Sequence, residues 1–195
     1  IKPNMAEIEE YCPENKQAWR NWLAANHQIK DAVWLIFYRK KSPNFNLSWS
    51  DSVDEALCFG WIDSTKKTLD SERYIQYFCK RKVKSNWSKV NKDKVELFTQ
   101  QGLMQAAGYK SIEAAKENGS WTFLDKVEAL ETPEDLKIAF TKHKGSFEYY
   151  DSLSNSAKKI LLYWIISAKR ENTRQKRVLE IVVNASKSLK PKQFR

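Results

Sequence analysis

The chain is poor in the residues that break or loosen structure. Five glycines and five prolines in 195 residues exclude a collagen-like, linker-like or low-complexity polypeptide. Cysteine is scarcer still. Cys12, Cys58 and Cys79 are odd in number, widely spaced and without a CxxC pair, so neither a disulfide framework nor a zinc site is signalled. Cys58 and Cys79 lie in apolar runs and read as small hydrophobes. Three unpaired thiols suit a reducing compartment, and the expected localisation is cytoplasmic. Histidine is limited to His27 and His143, far apart, each reading as a helix-end surface residue rather than a base or a ligand. The longest apolar run, 160–166, is far too short to cross a bilayer, and no signal peptide is visible in a sequence that begins at Ile1. The Walker A loop, the GxSxG elbow, HExxH and GxGxxG are all missing. Hydrolase and metalloenzyme readings therefore lose support, and no metal or cofactor is expected.

What is present is apolar and basic. Hydrophobic residues make up 42% and aromatics 13%, with eight tryptophans, enough to bury a sizeable core. The net charge is +10, which favours anionic partners such as nucleic acid, nucleotide or phosphate. The charge is segregated. Residues 80–94 carry seven Lys/Arg against one Asp, and 158–177 carry seven Lys/Arg against one Glu, while 113–136 carry seven Asp/Glu against two Lys. The basic stretches either face a ligand or face the acidic one.

Periodicity predicts an α+β chain. A first helix spans roughly 14–26, with Ala18, Trp22 and Ala25 on one face and Trp19 and Leu23 beside it. Ala32 to Arg39 is β-branched and aromatic, a buried strand. A second helix capped by Ser50 stops near Gly60. Trp61 to Leu69 and Arg73 to Lys80 form a hairpin about Asp70-Ser71-Glu72, so a small antiparallel sheet of about three strands packs with helices. Helices follow at 87–101, capped by Ser85 or Asn86, and at 104–117. The body is then 1–117, the acidic and aperiodic 118–131 is a linker, and 132–195 is a C-terminal helical region. Within that region Pro133 takes the first helical position. The 160–166 run is apolar nearly all round and is expected at the bundle centre, and Thr173 caps the last helix.

Residues 55–91 hold the candidate chemistry. Arg73, Arg81 and Lys84 can grip a phosphate or carboxylate, Arg in a bidentate fork. A helix starting at Ser85-Asn86-Trp87 adds free N–H groups and a positive dipole end. Trp61 and Trp87 would be walls and Asp63 would orient the ligand. Asp63, beside bulky apolar groups, is also the best candidate for a catalytic base; the alternative is a structural pairing with Arg73 or a lysine across the hairpin. Tyr74, Tyr77, Phe78 and Trp87 interleave with basic residues as in single-strand nucleic-acid binders, although Tyr74 and Phe78 share one strand face and Tyr77 the other, so part of the set is core. Four readings stay open: a small-anion or nucleotide binder, a nucleic-acid binder, an enzyme centred on Asp63, and a protein-interaction scaffold.

The block Glu55-Ala56-Leu57-Cys58-Phe59-Gly60-Trp61-Ile62-Asp63, then Arg73-Tyr74, then Ser85 to Asn91, resembles the YdeI/OmpD-associated family, also called bacteriocin-protection proteins. Val33 to Tyr38 upstream, and Ala168-Lys169-Arg170 with Thr173-Arg174 downstream, extend the resemblance over nearly the whole chain. Ser64 departs from the glycine that often follows the aspartate. The resemblance implies a role in bacteriocin or stress tolerance and association with an outer-membrane porin. It brings no catalytic residues.

Overall fold

The computed structural model describes residues 8–195, and the chain divides into two compact units, 1–122 and 123–195. In the first, the chain order is β1 (Glu10–Tyr11), α1 (Lys16–Asn26), β2 (Ala32–Tyr38), α2 (Trp49–Cys58), β3 (Trp61–Thr68), β4 (Arg73–Lys80), α3 (Lys89–Gln100) and α4 (Ala106–Glu117). The sheet order is β1-β2-β4-β3. The expected antiparallel strands are present, with Val33 opposite Phe78 and Phe37 opposite Tyr74. The fourth strand, β1, is two residues long, pairs in parallel with β2 and is too short to carry an alternation.

Alternation along β2 sends Val33, Leu35 and Phe37 into the core. There they join Trp19, Trp22 and Leu23 of α1 and Ala56 and Leu57 of α2. Trp19 packs edge-on to Phe78 with ring centroids 5.4 Å apart, and its indole N–H donates to Ser52 O of α2 at 3.0 Å. One buried tryptophan thus joins helix, helix and sheet, satisfying its polar atom as burial requires.

Several helix starts differ from the sequence expectation by a few residues, and at α2 and α3 the shift is to another serine oxygen. Ser48, not Ser50, caps α2 by accepting from Asp51 N. Ser88, not Ser85 or Asn86, caps α3 by accepting from Asn91 N. Each true cap sits in extended backbone three residues before the N–H it serves.

The second unit holds α5 (Asp125–Glu128), α6 (Glu134–Thr141), α7 (Ser146–Ser152), α8 (Asn155–Ile166) and α9 (Glu171–Ala185). Residues 118–131 are built into folded structure. Trp121 packs on Trp87 in the first unit, and Val127 is buried in the second core. Pro133 stands at the N-cap of α6 rather than inside it, and α9 begins at Glu171, two residues before Thr173. Helix α8 is not apolar-covered all round. Leu161, Leu162 and Ile165 are buried while Ile160 and Tyr163 stay about half exposed, and α5 and α9 both pack against this helix.

The basic stretch 158–177 meets the acidic one: Lys159 pairs with Glu128, and Arg174 grips Asp135 in a bidentate fork at 2.7 and 2.9 Å. The Arg174 hydrogen bonds hold the Asp135 carboxyl below its ordinary range. A folded-state value below the unfolded one stabilises the fold above about pH 4 and loses that contribution as pH falls through the folded value. Asp135→Asn is expected to lower the melting temperature at pH 7. The gap to wild type should close as the pH falls from neutral through the folded value, checked by melts across pH. A gap that stays constant with pH would show that the pair contributes no proton-linked stability.

Candidate functional site

The N-terminal unit contains a cleft of about 660 Å³ between the end of α2, the β3–β4 exit and the first three turns of α4. Close backbone approach forms its floor. Gly60, at φ +73°, ends the α2–β3 turn in a conformation that L-residues avoid. A Cβ there would lie 2.8 Å from Ala107 O, and a Cβ on Gly108 would lie 2.4 Å from Cys58 O. The helix start is tied to the same turn by Gln105 N donating to Cys58 O at 3.0 Å. Burial pushes the Cys58 thiol up to about 11, so it packs as a neutral group beneath the floor.

A second clamp fixes α4 from behind. Arg20 of α1 donates from Nη1 to Glu55 Oε2 at 2.5 Å and from Nη2 to Leu103 O at 2.8 Å, with its guanidinium over the Phe59 ring. Glu55 is buried, and its charge is met by Arg20 and Lys16. The α3–α4 connection is thereby pinned to α1 and α2, and α4 begins where the cleft opens.

No side chain caps α4. Gln105 stands at the cap position but donates its amide to Leu103 O. The N–H groups of the first turn have no intrahelical acceptors and carry the positive end of the helix dipole. Ala106 and Ala107 of that turn line the cleft, as do Lys110, Ser111 and Ala114 further along. His27 lines it from α1's C-cap. Its Nδ1 lies 2.8 Å from Leu23 O, a carbonyl that only accepts, which assigns the proton to Nδ1.

Arg81 is the unusual group. It is only 8% exposed and leaves β4 with its own N–H donating to Gly60 O at 2.9 Å. Its guanidinium carbon lies 3.8 Å from the centroid of the Trp87 ring, and Nη2 donates to Asn86 O at 2.6 Å. Its Nε and Nη1 are buried without any acceptor, as is the indole N–H of Trp61. Both residues line the cleft, and among the described residues no aspartate or glutamate does. Desolvation lowers the Arg81 guanidinium to about 10, still charged at neutral pH.

Of the residues singled out in the sequence, the structure brings Trp61 and Arg81 to this cleft, with Trp87 and Asn86 behind the guanidinium. Arg73 is elsewhere. It stands at the far end of β4, about 26 Å from Arg81 by strand rise, and forms an ion pair with Asp70 in the hairpin turn. Asp63 neither pairs with Arg73 nor faces the cleft. Its Oδ2 accepts from Trp49 Nε1 and Gln76 Nε2, both at 2.9 Å, and Gln76 also donates to Ser64 O. These bonds hold the bulge between Asp63 and Lys66. Lys84 is exposed, and Ser85 closes a turn on Lys82 O; neither lines the cleft. The aromatic stripe is largely packing: Phe78 and Trp87 are buried, and Tyr74 stacks on Phe37 at 4.9 Å. Among the cleft residues that the sequence does not single out are Lys80, Ala106, Ala107 and Lys110. The run Ala106-Ala107-Gly108 was the available signal, since three small residues opening a helix permit close backbone approach.

Comparison with known proteins divides the chain in the same two parts. Residues 11–111 match the model of a domain of unknown function (DUF8412). Residues 129–187 match the model described as bacteriocin-protection, YdeI or OmpD-associated. The family resemblance is therefore borne out, on the segment containing Ala168-Lys169-Arg170 and Thr173-Arg174, while the 55–91 block lies under the other model. Searches of curated proteins and of solved structures find no match. The chain belongs to the DUF8412 family through residues 11–111, and its residues 129–187 are similar to the YdeI/OmpD-associated family.

Proposed function

We propose that the N-terminal unit is a binding module for a small anion, held in the cleft at the start of α4. The observation that carries this reading is Arg81. A buried guanidinium with two unpaired nitrogens is costly to the fold, and it lines a cleft free of carboxylates that also receives an uncapped helix N-terminus. An anion with several acceptor oxygens satisfies both at once. Lys110, one turn into α4, adds charge at the wall. The stress-protection role that accompanies the YdeI/OmpD-associated region belongs to the same proposal, with ligand capture as its basis.

Binding through nucleic-acid backbones is less well supported, because much of the basic surface is already engaged. Lys94 pairs with Asp54, Lys89 with Asp93, Lys159 with Glu128 and Arg174 with Asp135. Titration of inorganic phosphate by calorimetry at low ionic strength tests the anion reading. Saturable binding is expected, weakened roughly tenfold by Lys110→Glu and weakened further by added salt. No saturation up to about 10 mM phosphate would overturn it, since affinity weaker than that corresponds to under about 3 kcal/mol.

A further inference from the structure

We infer that the occupant of the cleft is a phosphomonoester carrying a flat, largely apolar body about the size of a nucleoside monophosphate. This inference rests on the anion reading above and goes on to the rest of the ligand. The first ground is size. The cleft measures about 660 Å³, within the range of about 300–1,000 Å³ typical of small-molecule sites. It has room for on the order of twenty waters, far more than an inorganic phosphate displaces.

The second ground is shape. The lining residues of α4 run from Ala107 through Lys110 and Ser111 to Ala114, spaced three and four apart along one helix face. Seven steps at the α-helical rise make this wall about 10 Å long. A bare phosphate contacts one turn of such a wall and leaves the remainder to water.

The third ground is the chemistry of the walls. Phe59, Trp61, Val83, Ala106, Ala107 and Ala114 present carbon to the cleft. Such surface gains by burying an apolar body, at roughly 25 cal/mol per Å² covered. The donors concentrate on one kind of partner. Arg81 Nε, Arg81 Nη1 and Trp61 Nε1 are three buried N–H groups lacking acceptors, and Lys110 adds positive charge at the wall, whereas Lys80 is already paired with Asp31. A dianionic phosphate group supplies three strong acceptor oxygens, where a lone carboxylate supplies two. Among the walls, His27, Gln28 and Ser111 have neutral polar side chains able to read polar edges on the body.

Calorimetry with four probes tests this: inorganic phosphate, phenyl phosphate, adenosine 5′-monophosphate and adenosine, each against wild type and Lys110→Glu at pH 7.5. At least one of the two esters is expected to bind tenfold or more tightly than inorganic phosphate, with adenosine too weak to measure and Lys110→Glu weakening phosphate and ester alike. If phosphate saturates the protein but neither ester gains over it, the apolar body is wrong and the anion site stands. If neither phosphate nor its esters bind, both readings fail together. Adenosine binding as tightly as its monophosphate would also overturn the assignment, because the charge would then contribute nothing.

Discussion

Replacing Gly108 with valine is expected to destabilise the N-terminal unit by about 4 kcal/mol, although the substitution puts a side chain where a helix ordinarily welcomes one. In an exposed helix, trading glycine for a residue with a Cβ is favourable by up to about 1 kcal/mol. Here the sign reverses because of what lies opposite. A Cβ at Gly108 falls 2.4 Å from Cys58 O and 2.8 Å from Met104 Cε. The methionine can swing aside, but the carbonyl belongs to the backbone of the α2–β3 turn and is already bonded to Gln105 N. Relief requires α4 to lift away, and α4 carries Ile112 and Ala115 into the core. The branched side chain makes every rotamer worse. Denaturant titration followed by circular dichroism measures the loss. A Gly108→Val protein within about 1 kcal/mol of wild type would mean that the turn and α4 do not touch as described. Phosphate binding should vanish with the fold of this corner, since Gly60 and Ala107 lose their mutual seat.

The same corner shows what the sequence could and could not reveal. Strands β2, β3 and β4 were legible because alternation and turn chemistry are local, and the hairpin about Asp70 to Glu72 lies where its residues place it. The apolar face of α1 was legible for the same reason. Helix starts were less so, because serines at 48, 50, 85 and 88 compete as caps and only the path of the chain decides among them. Arg73 and Arg81 look equivalent in sequence, a basic residue at either end of one strand. Their fates differ through tertiary context. Arg73 meets Asp70 three residues away in an exposed turn, while Arg81 is folded under by the return of the chain to Trp87. Asp63 attracted a catalytic reading by its apolar neighbours in sequence. The partners that occupy it, Trp49 and Gln76, come from α2 and β4 and leave no trace in the local pattern. The α4 half of the cleft was invisible for a simpler reason: contact between residue 60 and residue 107 has no sequence signature beyond two glycines and two alanines.

Arg81→Met is expected to abolish anion binding, raising the dissociation constant about a hundredfold or more, while leaving the ligand-free protein as stable as wild type or up to about 2 kcal/mol more stable. The two signs are opposed because the guanidinium does two things. Its desolvation and its unpaired Nε and Nη1 cost the fold, each buried unmade hydrogen bond being worth about 1–3 kcal/mol. Against this stand the contact with Trp87 at 3.8 Å and the bond to Asn86 O, the first worth about 2 kcal/mol when desolvated. Methionine keeps most of the first through its sulfur over the ring. The second is replaced by water, because Asn86 is only half buried. What methionine cannot supply is a charged fork for an anion. Adding phosphate at a hundred times the wild-type dissociation constant stabilises wild type by about 2.7 kcal/mol and a variant weakened a hundredfold by only about 0.4 kcal/mol. The melting order of the two proteins should therefore invert, variant above wild type without phosphate and below it with phosphate. A purely structural arginine gives no such inversion: its loss would lower stability by the same amount in both conditions. Thermal melts of both proteins with and without phosphate decide between these roles. A variant more than about 1.5 kcal/mol less stable in the absence of anion would make Arg81 a bolt holding Trp87, and the cleft would lose its anchor.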